Sequence, residues 1–273
     1  MKFDVAITLY NPECNILDKI KEYERVFDEI YLFDNTENIN HMIELNNTSD
    51  KIHYFCNGEN NGLPYAFNYV LKHLSDETDF LCTMDQDSVF NEKDIVLMKD
   101  MLEQNKIDDL GILCPKVIYD YKQYSAKINV KKVKYCICSG SFVNMSVIRN
   151  FNIKYDENYF IDRFDIDICQ EIVEHGYYIY QYDNAVLYQE LGEKSQYKHS
   201  NHSVDRHYYI FRNRFYFNNK YIKNKFKKYL LNITQTIKHI LLIVLYENKK
   251  IKKIKELKYS CIDYKNYHMG KRL

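Results

Sequence analysis

The sequence has no tryptophan, only three prolines and seven glycines in 273 residues, and its 38 basic residues are balanced by 38 acidic ones. A formal charge of zero leaves no whole-molecule field to attract nucleic acid, so no such partner is expected and any basic patch must be local. The eight cysteines (Cys14, Cys56, Cys82, Cys114, Cys136, Cys138, Cys169 and Cys261) form no Cys-x-x-Cys pair, and several sit inside apolar runs. That usage argues against a zinc site or a disulfide framework and reads as buried, reduced thiols of a cytoplasmic protein. The opening residues, Met1-Lys2-Phe3-Asp4, run straight into an apolar strand without the long core of a signal peptide. The longest apolar run, Ile240 to Tyr246, is far shorter than a bilayer span, and no internal repeat or low-complexity linker is present.

What the chain does have is enough apolar material, 46% of residues, for a core of domain size. In its first half short apolar runs alternate with helical patterns. Strands are predicted over 3–9, 28–34, 51–56 and 79–85, with helices over 15–26, 37–47 and 63–75. Such alternation marks an α/β fold with a mostly parallel sheet flanked by helices, whose ligands lie at the carboxyl ends of the strands. The polar residues fall at those ends. Beyond them come a helix over 92–104, a strand over 110–116, a loop over 117–134, a strand over 136–143, a helix over 162–175 and a strand over 177–187. From about residue 203 the pattern is helical and Lys-rich, with no Pro or Gly before Gly270. The expected organisation is an α/β domain over 1–200 and a helical extension over 201–273.

The densest chemical signal is Met84-Asp85-Gln86-Asp87-Ser88, at the end of the apolar run Phe80 to Met84. Two carboxylates one residue apart at a strand end can both turn toward one divalent cation, and a hard cation held by oxygens is what a diphosphate needs. The bland alternative is a solvated acidic turn.

Taken together, Val5-Ala6-Ile7-Thr8-Leu9-Tyr10-Asn11-Pro12, Phe33-Asp34-Asn35-Thr36, the segment Asn57 to Asn68 and Met84 to Ser88 stand in the order found in family-2 glycosyltransferases. The chain resembles that family, and most closely its rhamnosyltransferase-like branch, over about residues 3–215. The resemblance implies a GT-A fold, with a nucleotide-sugar half over about 1–116 and an acceptor half over about 117–200. It implies that Thr8, Tyr10 and Asp34 line the base and ribose pocket, with the Asp34 carboxylate accepting from a pyrimidine N–H. Read on its own, Asp34-Asn35-Thr36 is equally a turn and a cap. Glu59-Asn60-Asn61-Gly62 precedes the helix carrying Asn68, and a helix N-terminus favours an anion. Asn61 and Asn68 are thereby candidate donor contacts. Ser139, in Cys138-Ser139-Gly140-Ser141, is a further one, because a strand Gly signals a bulge or the close approach of something.

Asn158 to Cys169 resembles the branch's Ile-Asp-x-x-Asp-x-Glu motif and places Asp165 on the catalytic carboxylate. An inverting transfer needs one base to take the proton of the attacking hydroxyl. Asp162, three residues earlier and on the same helical face, is the rival base or an N-cap, and Asp167 a positioning residue. After the last strand the branch has His-x-Leu-Gly where this chain has Gln189-Glu190-Leu191-Gly192. Gln189 is then the third metal or phosphate contact beside Asp85 and Asp87, and its poorer affinity for transition metals favours Mg2+ over Mn2+. His199 and His202 are the candidates to replace the missing imidazole. Arg206 and Arg212, in a segment similar to Arg-x-Tyr-Tyr-x-x-Arg-Asn, are expected to neutralise the leaving diphosphate, unless they pair with carboxylates on a helix face.

The resemblance implies a nucleotide-diphosphate sugar donor, rhamnose from dTDP-rhamnose first and galactose or galactofuranose next. The implied acceptor is a glycan or lipid-linked glycan. The Lys-rich, apolar tail from Lys220 to Lys258 suggests peripheral membrane contact on the cytoplasmic face, with solvated packing as its alternative. A processive synthase is disfavoured because there is no Trp for its Gln-x-x-Arg-Trp motif. A nucleotidylyltransferase is disfavoured because Thr8 to Cys14 holds no Gly, Lys or Arg. A glycan-binding protein that has lost activity is the non-enzymatic reading, hinted at by Gln189 alone.

Overall fold

The structure, a computed structural model, describes residues 1–13, 16–37, 49–119, 129–189 and 201–272. It divides into two compact units, Met1–Asp156 with Asp165–Glu190, and Glu157–Phe164 with Leu191–Leu273. The helix expected over 37–47, the residues Glu190-Leu191-Gly192 and His199 lie outside the described residues.

The first unit is a mixed α/β sheet with flanking helices. Its strands are β1 (Phe3–Leu9), β2 (Ile30–Asp34), β3 (Ile52–Cys56), β4 (Phe80–Asp85), β5 (Val89–Phe90), β6 (Leu110–Tyr119), β7 (Val130–Val133), β8 (Ser141–Asn144) and β9 (Tyr178–Gln189). They run in the order β3-β2-β1-β4-β8-β6-β9-β5, with β7 paired to β9. β3, β2, β1 and β4 are parallel, and β8 lies antiparallel between β4 and β6. All seven residues of β1 are buried, as a central strand covered on both faces requires. Asp4 is the charged exception. Its carboxylate accepts from the Thr78 hydroxyl and the Glu29 N–H, and burial raises its pKa.

The helices of this unit are α1 (Ile16–Tyr23), α2 (Leu63–His73), α3 (Glu92–Gln104), α4 (Met145–Phe151) and α5 (Phe164–Glu174), the last entered from the second unit. Two expectations change. The strand expected over 136–143 shrinks to β8, because Gly140 sits at φ 76° and its amide turns to the Thr83 carbonyl. The loop expected over 117–134 instead contains the end of β6 and all of β7.

The second unit holds α6 (Val204–Tyr221), α7 (Lys225–Tyr246) and α8 (Lys250–Lys265), and Ser203 and Asn224 cap the first two. α7 is long and apolar enough to cross a membrane by length and composition, although its longest unbroken apolar run is short. Between these helices runs a buried polar relay. Arg214 donates to His239 Nδ1 (3.5 Å), His239 Nε2 lies 3.0 Å from His207 Nδ1, and His207 Nε2 lies 2.8 Å from Glu247. Lys253 donates to the same Glu247 oxygen (2.7 Å). The chain of donors closes with both imidazoles neutral and protonated on Nε2. Desolvation lowers the pKa of His207, that of His239 to about 3, and that of the neighbouring His202 to about 4.

Depressed histidine pKa values make acid destabilising: the contribution is complete above the unfolded value near 6.5 and is lost as pH falls toward 4 and below. Glu247, itself held low by Lys253 and His207 against the cost of burial, adds in the same direction below its ordinary value. The melting temperature followed by circular dichroism should fall between pH 6.5 and 4. The double variant His202→Gln/His239→Gln should flatten that slope; an unchanged slope would show that the relay does not govern it.

Candidate active site

The parallel register brings the strand ends together. Leu9 pairs with Asp34, Asp34 with Cys56, and Thr8 with Asp85. On the other side of β4, Thr83 pairs with Ser141. Asp85 therefore ends its strand between the loop after β1 and the loop before β8. Asp85 is partly buried and Asp87 exposed.

The turn between the two carboxylates is held from three directions. The Gln86 side chain accepts from the Tyr10 N–H and donates to the Tyr10 carbonyl, both at 2.9 Å, which ties the loop after β1 to the acidic turn. From α1, the Lys19 ammonium donates to the carbonyls of Gln86 (2.9 Å) and Ser88 (3.4 Å). From the loop before β8, Ser139 Oγ accepts the Asp85 N–H (3.2 Å), and the Cys138 thiol lies 3.7 Å from one Asp85 oxygen. Gln86, Lys19 and Cys138 were not among the candidates. The signal for Gln86 and Cys138 was adjacency to the motif; for Lys19 there was none.

The rim continues toward α2. Asn35 donates to the Gly62 carbonyl (3.4 Å) and accepts the Asn61 N–H (3.2 Å), while Thr36 Oγ1 accepts the Asn11 N–H (2.7 Å). α2 starts after Gly62, at φ 86°, and no side chain caps its first turn. Those N–H groups and the helix dipole suit an anion. Thr8 is buried beside the Met84 carbonyl, and Tyr10 is 45% exposed.

Several expected ligand contacts prove to be braces. Asp34 is fully buried, and its two oxygens accept the Thr36 N–H (2.8 Å) and the Tyr54 O–H (3.0 Å), so it holds the turn after β2 and presents no open face to a base. The Asn68 carboxamide spans both backbone groups of Tyr155, at 2.8 and 2.9 Å. Ser139 is fully buried against Asp85 and Met84. At Gly140 it is protein that approaches closely: an added Cβ would meet Pro115 and Leu187 at 3.1 and 3.2 Å.

Asp165 lies in the first turn of α5, partly exposed. α5 is seated on the loop before β8 by a thiol contact, with Cys169 3.7 Å from Cys136. The Cys138 thiol has its pKa raised by burial first and then by the charges of Asp85 and Asp165. The loop before β8 thus touches both the strand end that carries Asp85 and the helix whose first turn carries Asp165. Gln189 ends β9 one position beyond the Val89–Tyr188 pair, in line with Ser88 and the acidic turn. Among the described residues no group of three His, Cys, Asp or Glu is arranged to hold a metal. Asp85 and Asp87 nonetheless form a hard, two-carboxylate donor set that fits a cation completing its shell with diphosphate oxygens and water.

Within the second unit, Asp162 is paired with Arg206 through contacts of 2.9 to 3.3 Å. Its carboxylate serves an ion pair, and Arg206 is correspondingly committed. Arg212 is fully buried and spends its guanidinium on the carbonyls of Asn158, His268 and Gly270 and on Tyr208 Oη. It therefore cannot serve a diphosphate. Asn213 donates to the carbonyls of Tyr159, Ile161 and Asp162 at 2.6 to 3.1 Å. That segment needs such support, because Phe160, Asp162 and Arg163 all have φ between 59° and 71°. The Arg-Asn pair is thus a clamp on the acidic motif.

The sequence pattern of glycosyl transferase family 2 matches residues 4–227. The chain belongs to that family. No curated protein matches it in sequence. Among solved structures it is similar to TarS 1–349 of S. aureus in complex with UDP-GlcNAc, with a TM-score of 0.62 and 14% identity over 97% of this chain and 80% of that one. It is also similar to GalNAc-T7 with UDP, GalNAc and Mn2+, with a TM-score of 0.57 and 11% identity over 70% of this chain and 44% of that one. At such identities the likeness establishes the GT-A-like fold. As a family-2 glycosyltransferase, the protein transfers a sugar from a nucleotide sugar.

If the acidic turn is held in shape by Gln86 and Lys19, Gln86→Ala and Lys19→Met should each cost about 1 kcal/mol of stability. They should weaken metal-dependent binding of a nucleoside diphosphate by roughly tenfold, an energetic loss of similar size. Calorimetric titration with and without chelator reads the effect. Unchanged affinity in both variants would detach the turn's geometry from ligand binding.

Proposed function

We propose that this glycosyltransferase is inverting and metal-assisted, and that it adds one sugar, rhamnose from dTDP-rhamnose in the first instance, to a growing cell-surface polysaccharide or lipid-linked glycan. What supports this reading is the loop before β8, which meets both elements: Ser139 Oγ accepts the Asp85 N–H at 3.2 Å, and Cys136 lies 3.7 Å from Cys169 of α5, the helix whose first turn carries Asp165. Asp165 takes the proton of the acceptor hydroxyl as that oxygen attacks the anomeric carbon, and the nucleoside diphosphate leaves from the opposite face. Asp85 and Asp87, with Gln189 alongside, would hold the divalent cation, Mg2+ in preference to Mn2+. When bound, the cation offsets the charge developing on the departing diphosphate. The first turn of α2, which no side chain caps, offers the positive end of its helix dipole to an anion.

The nucleotides in the TarS and GalNAc-T7 structures support a pyrimidine nucleotide donor, and the Mn2+ in the latter supports a cation. Tyr10 and Asn61 are the rim residues left to meet the nucleoside, with Thr8 and Asp34 bracing the floor beneath them. Asp162 and Arg206 form one pair, so Arg206 acts by holding the segment that precedes Asp165.

A nucleotide-sugar screen by thermal shift, with and without Mg2+, tests the donor. A ligand at 100 times its Kd stabilises by about 2.7 kcal/mol, and dTDP-rhamnose should exceed UDP-galactose and UDP-GlcNAc. Equal or greater stabilisation by a UDP-sugar would reassign the donor and leave the family intact. Asp165→Asn should keep the donor-induced shift and lower kcat by ~10²-fold or more, whereas Asp87→Ala should lose the Mg2+-dependent part of the shift. If Asp162→Asn lost turnover in that way while Asp165→Asn did not, the base would be misassigned.

A further inference from the structure

α7 is inside out. Phe226, Leu230, Ile233, Ile237, Leu241 and Val244 follow one another at spacings of three and four, a single helical stripe, and each is exposed, Phe226 by 72% and Leu241 by 54%. The inward side is polar apart from the buried Ile243. Asn232 and Gln235 accept from Asn218 at 2.6 and 3.0 Å, Thr236 accepts from Arg214 at 2.9 Å, and His239 meets His207 at 3.0 Å. A helix packed on its own protein normally presents its apolar stripe inward and its polar residues to water. Here the hydrogen-bonding side is satisfied within the protein, and the stripe needs a different neighbour.

The surrounding charge identifies that neighbour. Between Lys220 and Lys258 stand twelve lysines and two carboxylates, Glu247 and Glu256. Both carboxylates are buried in ion pairs, with Lys253 and with Arg272, so the exposed charge of this region is basic. α7 itself carries Lys225, Lys227, Lys228 and Lys238 and no acidic residue. Across a two-fold axis a second copy would set this basic surface against its own image, and like charges oppose such a contact. An anionic bilayer meets both halves of the pattern: acyl chains take the stripe and phosphate headgroups the lysines.

We propose that α7 docks the protein on an anionic phospholipid bilayer, lying in the plane of the interface with the stripe Phe226–Val244 immersed. Its 22 residues, about 33 Å long, match the thickness of a hydrocarbon core. Crossing would nevertheless draw Lys238 and the α6-bonded side chains Asn232, Gln235 and His239 into hydrocarbon, at the cost of the hydrogen bonds they now make. Lying flat leaves all of them in place. This inference does not depend on the donor or on the catalytic assignment.

The test is flotation of the purified chain with phosphatidylcholine vesicles, with and without phosphatidylglycerol. The wild type should float only with the anionic vesicles, and salt of about 0.5 M should release it. Leu230→Gln/Ile237→Gln/Leu241→Gln removes the stripe and Lys223→Gln/Lys225→Gln/Lys227→Gln the charge. Each should weaken partitioning by about tenfold or more while circular dichroism and melting temperature stay at the wild-type values. Absence of wild-type flotation, or equal flotation of all three proteins, overturns the proposal. So does a wild-type dimer in sedimentation that the stripe variant dissolves, which would assign the face to a second copy. Retention of the wild type on vesicles after alkaline carbonate would replace docking by crossing.

Discussion

The end of β4 is the constraint on which the site depends. With β1 parallel on one side and β8 antiparallel on the other, the strand delivers Asp85 between two loops that arrive from opposite directions. A shift of one residue against β1 would turn every side chain of β4 to the other face of the sheet. The register is protected because the first five residues of β4 and all of β1 are buried, so slippage would carry apolar and polar side chains into the wrong environments. Asp85 thereby inherits its position from the hydrophobic core. Its own hydrogen bonds, to Ser139 and near Cys138, then set its orientation.

Around that point most of the polar side chains brace other polar groups. Gln86, Lys19, Asn35, Thr36, Ser139 and Asn68 each satisfy backbone groups of another segment, and Asp34 those of its own turn. A rim built of irregular backbone leaves many N–H and C=O groups without partners from secondary structure, and near the core these must be satisfied by side chains. Asp87 and Tyr10 are exposed and Asp165 partly so. The division into holders and exposed groups follows from where water is excluded.

This division explains what the sequence could and could not reveal. The parallel strands were legible because β1, β2 and β4 are buried runs bounded by polar ends, and the acidic pair was legible because it terminates one of them. Asn68, Arg212 and Asp34 carried the same sequence signal as a ligand contact, a polar residue beside a motif. Only their burial and partners reveal them as braces. β8 read as longer than it is, since Gly140 sits among residues of strand-like composition, while its left-handed φ and the close approach of Pro115 and Leu187, distant in sequence, leave no mark on the local pattern. Lys19 gave no signal, because a helical lysine on a surface pattern is indistinguishable from one that reaches a turn 67 residues away. The apolar face of α7 makes no long unbroken run in the sequence, since polar residues interrupt it everywhere except after His239.

Those interruptions are what give α7 its direction. A helix of uniform apolar composition could rotate about its axis and bury any side, whereas Asn232, Gln235, Thr236 and His239 can be satisfied in only one orientation, against Asn218, Arg214 and His207. The relay from Arg214 through the two histidines to Glu247 and Lys253 runs through this contact, and leaving any member unpaired in a desolvated setting costs about 1–3 kcal/mol. Rotation of α7 to hide its apolar stripe would break several such bonds at once. Polar satisfaction inside the unit therefore holds the apolar stripe outside it, and the same histidines that make the unit sensitive to acid keep that face turned outward.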